Sequence, residues 1–160
     1  MPDPDPLGRL FEIADYLLGA VADAADEYGH PLPDRRQIGE GTLAWDCDMV
    51  SVNLVSIFRG QPGGELLAPL RASDTWTAEL GVWIIRCATM PNDQGDVPSA
   101  EAVTASAGPL LRDAVLLSAG IMPALFELSR TCTAVAVRRV FPQGPEGGLA
   151  GHLLGLEVTL

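Results

Sequence analysis

Two segments of this chain alternate between apolar and polar residues, and each is long enough to cross a sheet. In WDCDMVSVNLVSIFRG (45–60), Val50, Val52, Leu54 and Phe58 fall on one side, while Ser51 and Asn53 fall on the other. In SDTWTAELGVWIIRC (73–87), Trp76, Leu80, Val82 and Ile84 alternate with Thr77, Glu79 and Trp83. A period of two sends successive side chains to opposite faces, so both segments read as strands. The connection between them, GQPGGELLAPLRASD, carries glycine and proline, and the pair reads as an antiparallel hairpin.

A symmetric hairpin sets Val50 opposite Ile84, Val52 opposite Val82, Leu54 opposite Leu80 and Phe58 opposite Trp76, with Asp48 answering Arg86. Like meets like along the row, as cross-strand packing favours. A slip of one residue would put the two apolar rows on opposite faces. The same register makes the second face mixed: Cys47 with Cys87, Met49 with Ile85, Ser51 with Trp83, Asn53 with Gly81, and Val55 with Glu79. Either a helix of the same chain or a neighbouring subunit can cover its greasy end, because apolar patches rimmed by polar groups often mark interfaces. Met49, Glu79, Trp83 and Ile85 are the candidates for such a subunit contact.

Helical spacing flanks the hairpin. Leu7, Leu10, Phe11, Ala14, Leu17, Leu18, Val21, Ala25 and Tyr28 recur at steps of three and four, with Glu12, Asp15, Asp23 and Asp26 on the remaining face. Gly29 and Pro31 stop that helix. The following 29–44 reads as a loop with room for a short strand at its end. Ser99 caps a second helix with Glu101 in its first turn. Its apolar face is Leu110, Leu111, Ala114, Leu117 and Ile121, with a kink or restart at Gly108–Pro109. MPALFELSR is its last turn or a separate short helix. Strands at 131–141 and 153–160, joined by a glycine-rich turn, close the chain.

After a proline-rich lead-in at 1–6, residues 7–160 are therefore expected to form one α+β domain. Its expected order is α-β-β-α-β-β, a four-stranded, mainly antiparallel sheet with two main helices packed on it. The acidic, proline-bearing start does not read as a signal peptide, and no uninterrupted apolar run approaches the length of a membrane span.

Residues suited to chemistry are few. His30 and His152 lie beside glycine or proline and read as solvated turn residues. Asp46 and Asp48 flank Cys47, which raises a thiol's pKa and weakens it as a nucleophile. Cys47 and Cys87 can approach across the hairpin but lack the second ligand pair of a structural zinc site, so the cysteines read as buried, reduced thiols. GQPGGE and GPEGG lack the lysine-serine ending of a phosphate loop. With 10 Lys+Arg against 21 Asp+Glu, the net charge of −11 opposes a grip on DNA phosphates. No cofactor, metal or catalytic residue is expected.

In its order of elements the chain resembles the tail terminator proteins of long-tailed, lambda-like bacteriophages, in a form similar to those of actinobacteriophages. The resemblance lies in the N-terminal helix ending before a loop, in DMVSVNLVSIFRGQPGGE, in the Trp-x-Ala-Glu-Leu run that opens SDTWTAELGVWIIRC, and in the long helix and C-terminal hairpin. It covers about residues 7–160. It implies a virion protein without enzymatic activity, assembled in the host cytoplasm. Such a protein forms a ring, usually a hexamer, that caps the tail tube, stops its polymerisation and meets the head connector or stopper protein. DNA would pass through without specific binding, and no membrane is involved. A ring subunit needs two different sticky surfaces. The second face of the hairpin is one candidate, and the loop residues Gln61, Glu65, Leu66, Leu67, Leu70 and Arg71 are the partner-facing candidate. The alternatives are another neck component, such as a stopper or head-completion protein, and a small non-viral α+β binding module.

Overall fold

The computed structural model describes residues 5–41, 48–60, 62, 76–91, 94–132, 134–146 and 148–160. The elements run α1 (Pro6–Glu27), β1 (Arg35–Glu40), β2 (Met49–Arg59), β3 (Trp76–Cys87), α2 (Ala100–Val115), a π turn (Leu116–Gly120), α3 (Met122–Thr131), β4 (Val135–Glu146) and β5 (Leu149–Thr159). The five strands make one sheet in the order β1-β2-β3-β5-β4.

The expected four-stranded, mainly antiparallel sheet is thus corrected to five strands and a mixed sheet. The added strand, β1, pairs parallel to β2, with Arg35 beside Met49 and Glu40 beside Leu54. Its sequence, RRQIGE, offers one apolar residue and no alternation, which hides it from periodicity. It works as an edge strand because Ile38 packs against the core under α1, while exposed Arg35 and Arg36 blunt its open edge.

Between β2 and β3 the expected register holds from Met49–Ile85 to Leu54–Leu80. It then shifts at Val55, an extra residue on β2, so Ser56 faces Glu79, Phe58 faces Thr77 and Arg59 faces Trp76. The bulge sends Phe58 to the opposite face, which overturns the expected Phe58–Trp76 and Val55–Glu79 pairs. Trp76 instead lies under the Arg59 guanidinium, 4.8 Å from its ring centre. The C-terminal hairpin is also longer than its sequence suggests. Residues expected in a glycine-rich turn at 142–152 continue β4 and β5 almost to the tip, with two register shifts along β4.

The helices lie on one face. Leu10, Ile13, Ala14, Leu17, Val21, Ala24 and Ala25 of α1 meet Val50, Val52, Leu80, Val82, Ile84, Leu154, Leu156 and Val158 of the sheet. Leu116, Leu117, Ile121, Leu125 and Leu128 complete that core. Phe11 and Tyr28, counted with the apolar face of the first helix, are exposed. Tyr16 Oη donates to Ala124 O at 3.1 Å and Arg9 Nη2 to Thr131 O at 2.8 Å, tying α1 to α3.

Ser99 caps α2 as expected, its Oγ accepting from Ala102 N at 3.1 Å. The helix does not restart at Pro109, which lies inside α2. The irregularity comes later, where the π turn adds a residue and Ile121 N donates to Leu116 O at 3.1 Å. Gly120 allows this close packing: a Cβ there would stand 2.9 Å from Leu116 Cδ1 and 3.3 Å from Tyr28 Cε2.

Candidate interaction surfaces

Among the described residues, a carboxylate on the inner side of α2 is held by three close polar contacts. Asp113 is fully buried and accepts from Arg86 of β3 twice, Nε to Oδ2 at 2.6 Å and Nη2 to Oδ1 at 2.8 Å. His30 Nε2 lies 2.7 Å from the same Oδ1. A carboxylate only accepts, so Nε2 carries the proton. The 3.2 Å approach of Arg86 Nη2 to that nitrogen is then a contact of two donors, not a hydrogen bond. Arg86 Nη2 also donates to Pro31 O at 2.9 Å. Hydrogen bonding to Asp113 holds the guanidinium above its ordinary pKa, with the charges of Asp113 and the more distant Asp48 adding to it.

Local sequence delivers His30 to this place. Gly29, at φ 60°, ends α1 in a left-handed cap, with His30 N donating to Ala25 O and Gly29 N to Asp26 O. The chain turns inward at once and drops the imidazole onto Asp113. His30 is therefore buried, not solvated, and Arg86 is answered by Asp113 in place of Asp48. Asp48 sits outside the ladder with φ 53°. His152, opposite Ile84 on the same face, is half-buried. Burial lowers its pKa below the usual histidine value, against a smaller raising pull from Asp113. The cluster joins the α1 cap, β3 and α2; both Asp113 oxygens are engaged, while His30 Nδ1 is buried without a hydrogen-bond partner.

The second face of the hairpin is closed largely within the chain. Met49, Ser51, Asn53 and Ile85 are buried, so the surface it offers is the half-buried Trp83 and Glu79. Trp83 lies across Gly81, where a Cβ would come 2.8 Å from Nε1 and 3.0 Å from Leu153 Cδ1. Glycine here is the seat of the indole. Ser51 Oγ donates to Asn53 Oδ1 at 2.5 Å, Asn53 Nδ2 to Gly41 O at 3.2 Å, and Ser56 Oγ to Glu79 Oε2 at 3.0 Å. Glu79 is cross-strand neighbour to Glu157, and Arg138 pairs with Glu157 and offsets one charge of the acidic pair. The partner-facing candidates Gln61, Glu65, Leu66, Leu67, Leu70 and Arg71 lie outside the described residues.

Cys132 is free and buried. Cys87 is exposed and disulfide-bonded, its partner lying outside the described residues, which corrects the reading of a buried reduced thiol. Among the described residues no three His, Cys, Asp or Glu side chains converge as metal ligands.

The surface that sequence reasoning missed is the outer side of the long helix. Ala100–Thr131 runs for 32 residues, and an 18-residue stretch of it has a mean hydropathy of 1.4, of which only 28% is buried. By length and composition alone this helix is apolar enough to cross a membrane, a test that the core helix of a globular protein also passes, and Arg112 and Asp113 interrupt its apolar run. Its inner side belongs to the core, through Leu116, Leu117, Ile121 and Leu125, with Asp113 paired beneath it. Its outer side leaves Leu111 67%, Val115 57%, Met122 44% and Phe126 61% exposed. Leu111 was expected in the core face, and Asp113 holds a position facing the sheet. The signal available was the breadth of the apolar arc, wider than one buried stripe requires. A cavity of about 320 Å³ opens on this side, lined by Tyr28, His30, Leu111, Arg112, Val115 and Leu116. The sequence matches no protein-family model and no curated protein.

Proposed function

We propose that this chain is a subunit of the ring that caps a phage tail tube, ends its polymerisation and joins it to the head connector. The observation that carries the reading is the long helix, which leaves most of its apolar stretch uncovered. A chain of net charge −11 that stays apolar there has a surface built for assembly. The resemblance to tail terminators supplies the assembly: its Trp-x-Ala-Glu-Leu run, Trp76 to Leu80, opens β3 at the middle of the sheet. In such a ring the acidic subunits would let DNA pass without holding it, and the work is done by surfaces and not by a catalytic group. Trp83 and Glu79 supply a second, separate contact face. The test is negative-stain imaging of the purified protein with tail tubes that lack a terminator. Rings, or density at one tube end only, support the reading. Bare tube ends at every protein concentration would refute it.

A further inference from the structure

We infer that the outer side of the long helix is a contact between two copies of this chain, related by a two-fold axis through the Ser118–Ala119 peptide. Leu111 and Phe126 are placed symmetrically about that peptide, and so are Val115 and Met122. All four are exposed, as are Ser118 and Ala119 between them. An isologous contact requires this pattern, because residue i meets j while j meets i. Two such helices laid antiparallel bring Leu111 onto the partner's Phe126 and Val115 onto the partner's Met122. The small Ser118 and Ala119 sit at the crossing, where side chains would otherwise hold the backbones apart.

The cavity beside the stripe fits the same occupant. Leu111, Arg112 and Val115 form one wall and Tyr28, 59% exposed, stands opposite. That places an apolar socket of about 320 Å³ where the antiparallel pairing delivers the partner's Phe126. The arrangement repeats by symmetry, giving two rings in two sockets. Charge agrees: Arg112 lies one residue beyond Leu111 and Glu127 one beyond Phe126, so each socket brings an arginine near the partner's carboxylate. Glu127 already holds Arg130 at 2.8 Å, and Arg130 stacks on Phe126 at 4.9 Å, which fixes the phenyl ring before docking.

Taking roughly 200 Å² for a fully exposed side chain of this size, the four stripe residues and Tyr28 expose on the order of 600 Å². That reaches the largest apolar patches of ordinary monomers, and with the flanking polar residues it approaches the roughly 800 Å² per partner of a stable complex. The contact uses the same uncovered side of the long helix that supports the ring reading, but as an isologous pairing it cannot itself close a ring, so the two are tested separately. A dimer that caps no tube would leave it standing, and a ring without this contact would overturn it alone.

The test is the mass in solution of the full chain, by light scattering and sedimentation across a concentration series. Wild type is expected at twice 16.9 kDa. Phe126→Ala should weaken association by roughly 100-fold, since a socketed aromatic is lost twice per dimer. Val115→Glu should give monomer with an unchanged circular dichroism spectrum, because the side chain is exposed in the single chain. Arg112→Glu alone should weaken the dimer, and adding Glu127→Arg should restore it. Ser118→Cys with a short bis-maleimide should give a covalent dimer that the wild type does not. A wild-type monomer at all concentrations, or a dimer indifferent to Phe126→Ala and uncrosslinked through position 118, would overturn the inference. So would a monomer that sediments with phosphatidylcholine–phosphatidylglycerol vesicles and loses them with Val115→Glu, which would assign the stripe to lipid.

Discussion

Removing the Asp113 carboxylate should be among the most damaging single changes outside the apolar core. It accepts two hydrogen bonds from Arg86 and one from His30, all at 2.6 to 2.8 Å, and is itself fully buried. Hydrogen bonds to charged groups contribute about 1.5–3 kcal/mol each, but these three share one acceptor group and do not add. The better measure is the cost of breaking a buried ion pair, about 3–5 kcal/mol, because the surviving charge is left unpaired. Arg86 keeps Pro31 O and a side-chain exposure of 16%, so the lower end applies. Asp113→Leu is expected to cost about 3 kcal/mol. With an m-value near 2 kcal/mol/M, the urea midpoint falls by about 1.5 M. Arg86→Met should cost a similar amount. The double variant should recover most of the loss, because an apolar pair of similar volume leaves no orphaned charge. Full recovery is not expected, since His30 Nε2 still faces the site. Equilibrium urea denaturation of the four proteins gives the coupling directly. A midpoint change below about 0.5 M for Asp113→Leu, or a double variant as unstable as the two singles combined, would refute the reasoning.

Three further outcomes follow from local geometry. His152 has its pKa lowered by burial, so between that value and the unfolded value of about 6.5 the unfolded chain binds the extra proton. Stability should therefore fall as pH drops below about 6.5, with a slope up to about 1.4 kcal/mol per pH unit, and His152→Gln should flatten that part of the curve; an unchanged slope counts against the assignment. Gly151→Ala would put a Cβ 2.2 Å from Ile84 O, a backbone atom that cannot turn aside, and should cost about 3 kcal/mol or more by thermal melting. A melting temperature within a degree of wild type would show that β3 and β5 separate freely. Ser99→Ala removes the only side-chain cap described for α2 and should cost about 1 kcal/mol in the same assay, with Ser99→Asp close to neutral.

Legibility in the sequence followed how local the cause was. Apolar alternation over 49–54 and 80–85 fixed both strands and their register, because a slip would turn one row to the wrong face. It failed past Leu54, where one extra residue at Val55 resets the faces without any mark in composition. The helix signals at Ser99 and Gly29 were read correctly, since caps and stops act within a turn. From the sequence the edge strand β1 is allowed for only as a short strand at the end of the 29–44 loop and is left out of the sheet, because its stability comes from β2 and α1 and not from its own residues. The interaction surfaces were half legible. Trp83 and Glu79 stay at the surface, whereas Met49 and Ile85 are already buried, and periodicity alone cannot tell an uncovered apolar row from a covered one.

By itself, then, the sequence determined the segments that alternate, the places where helices begin and end, and the acidic balance of the chain. Each of these rests on forces acting over a few neighbouring residues. The tertiary structure decided which charge answers Arg86, that His30 is buried, and that one side of the long helix stays open. Those depend on residues tens of positions apart meeting in space, and the pairing of Arg86 with Asp113, rather than with the Asp48 that strand alternation sets opposite it, is the plainest case. Asp48 can be solvated where it stands, while a carboxylate under α2 has nowhere else to find a charge.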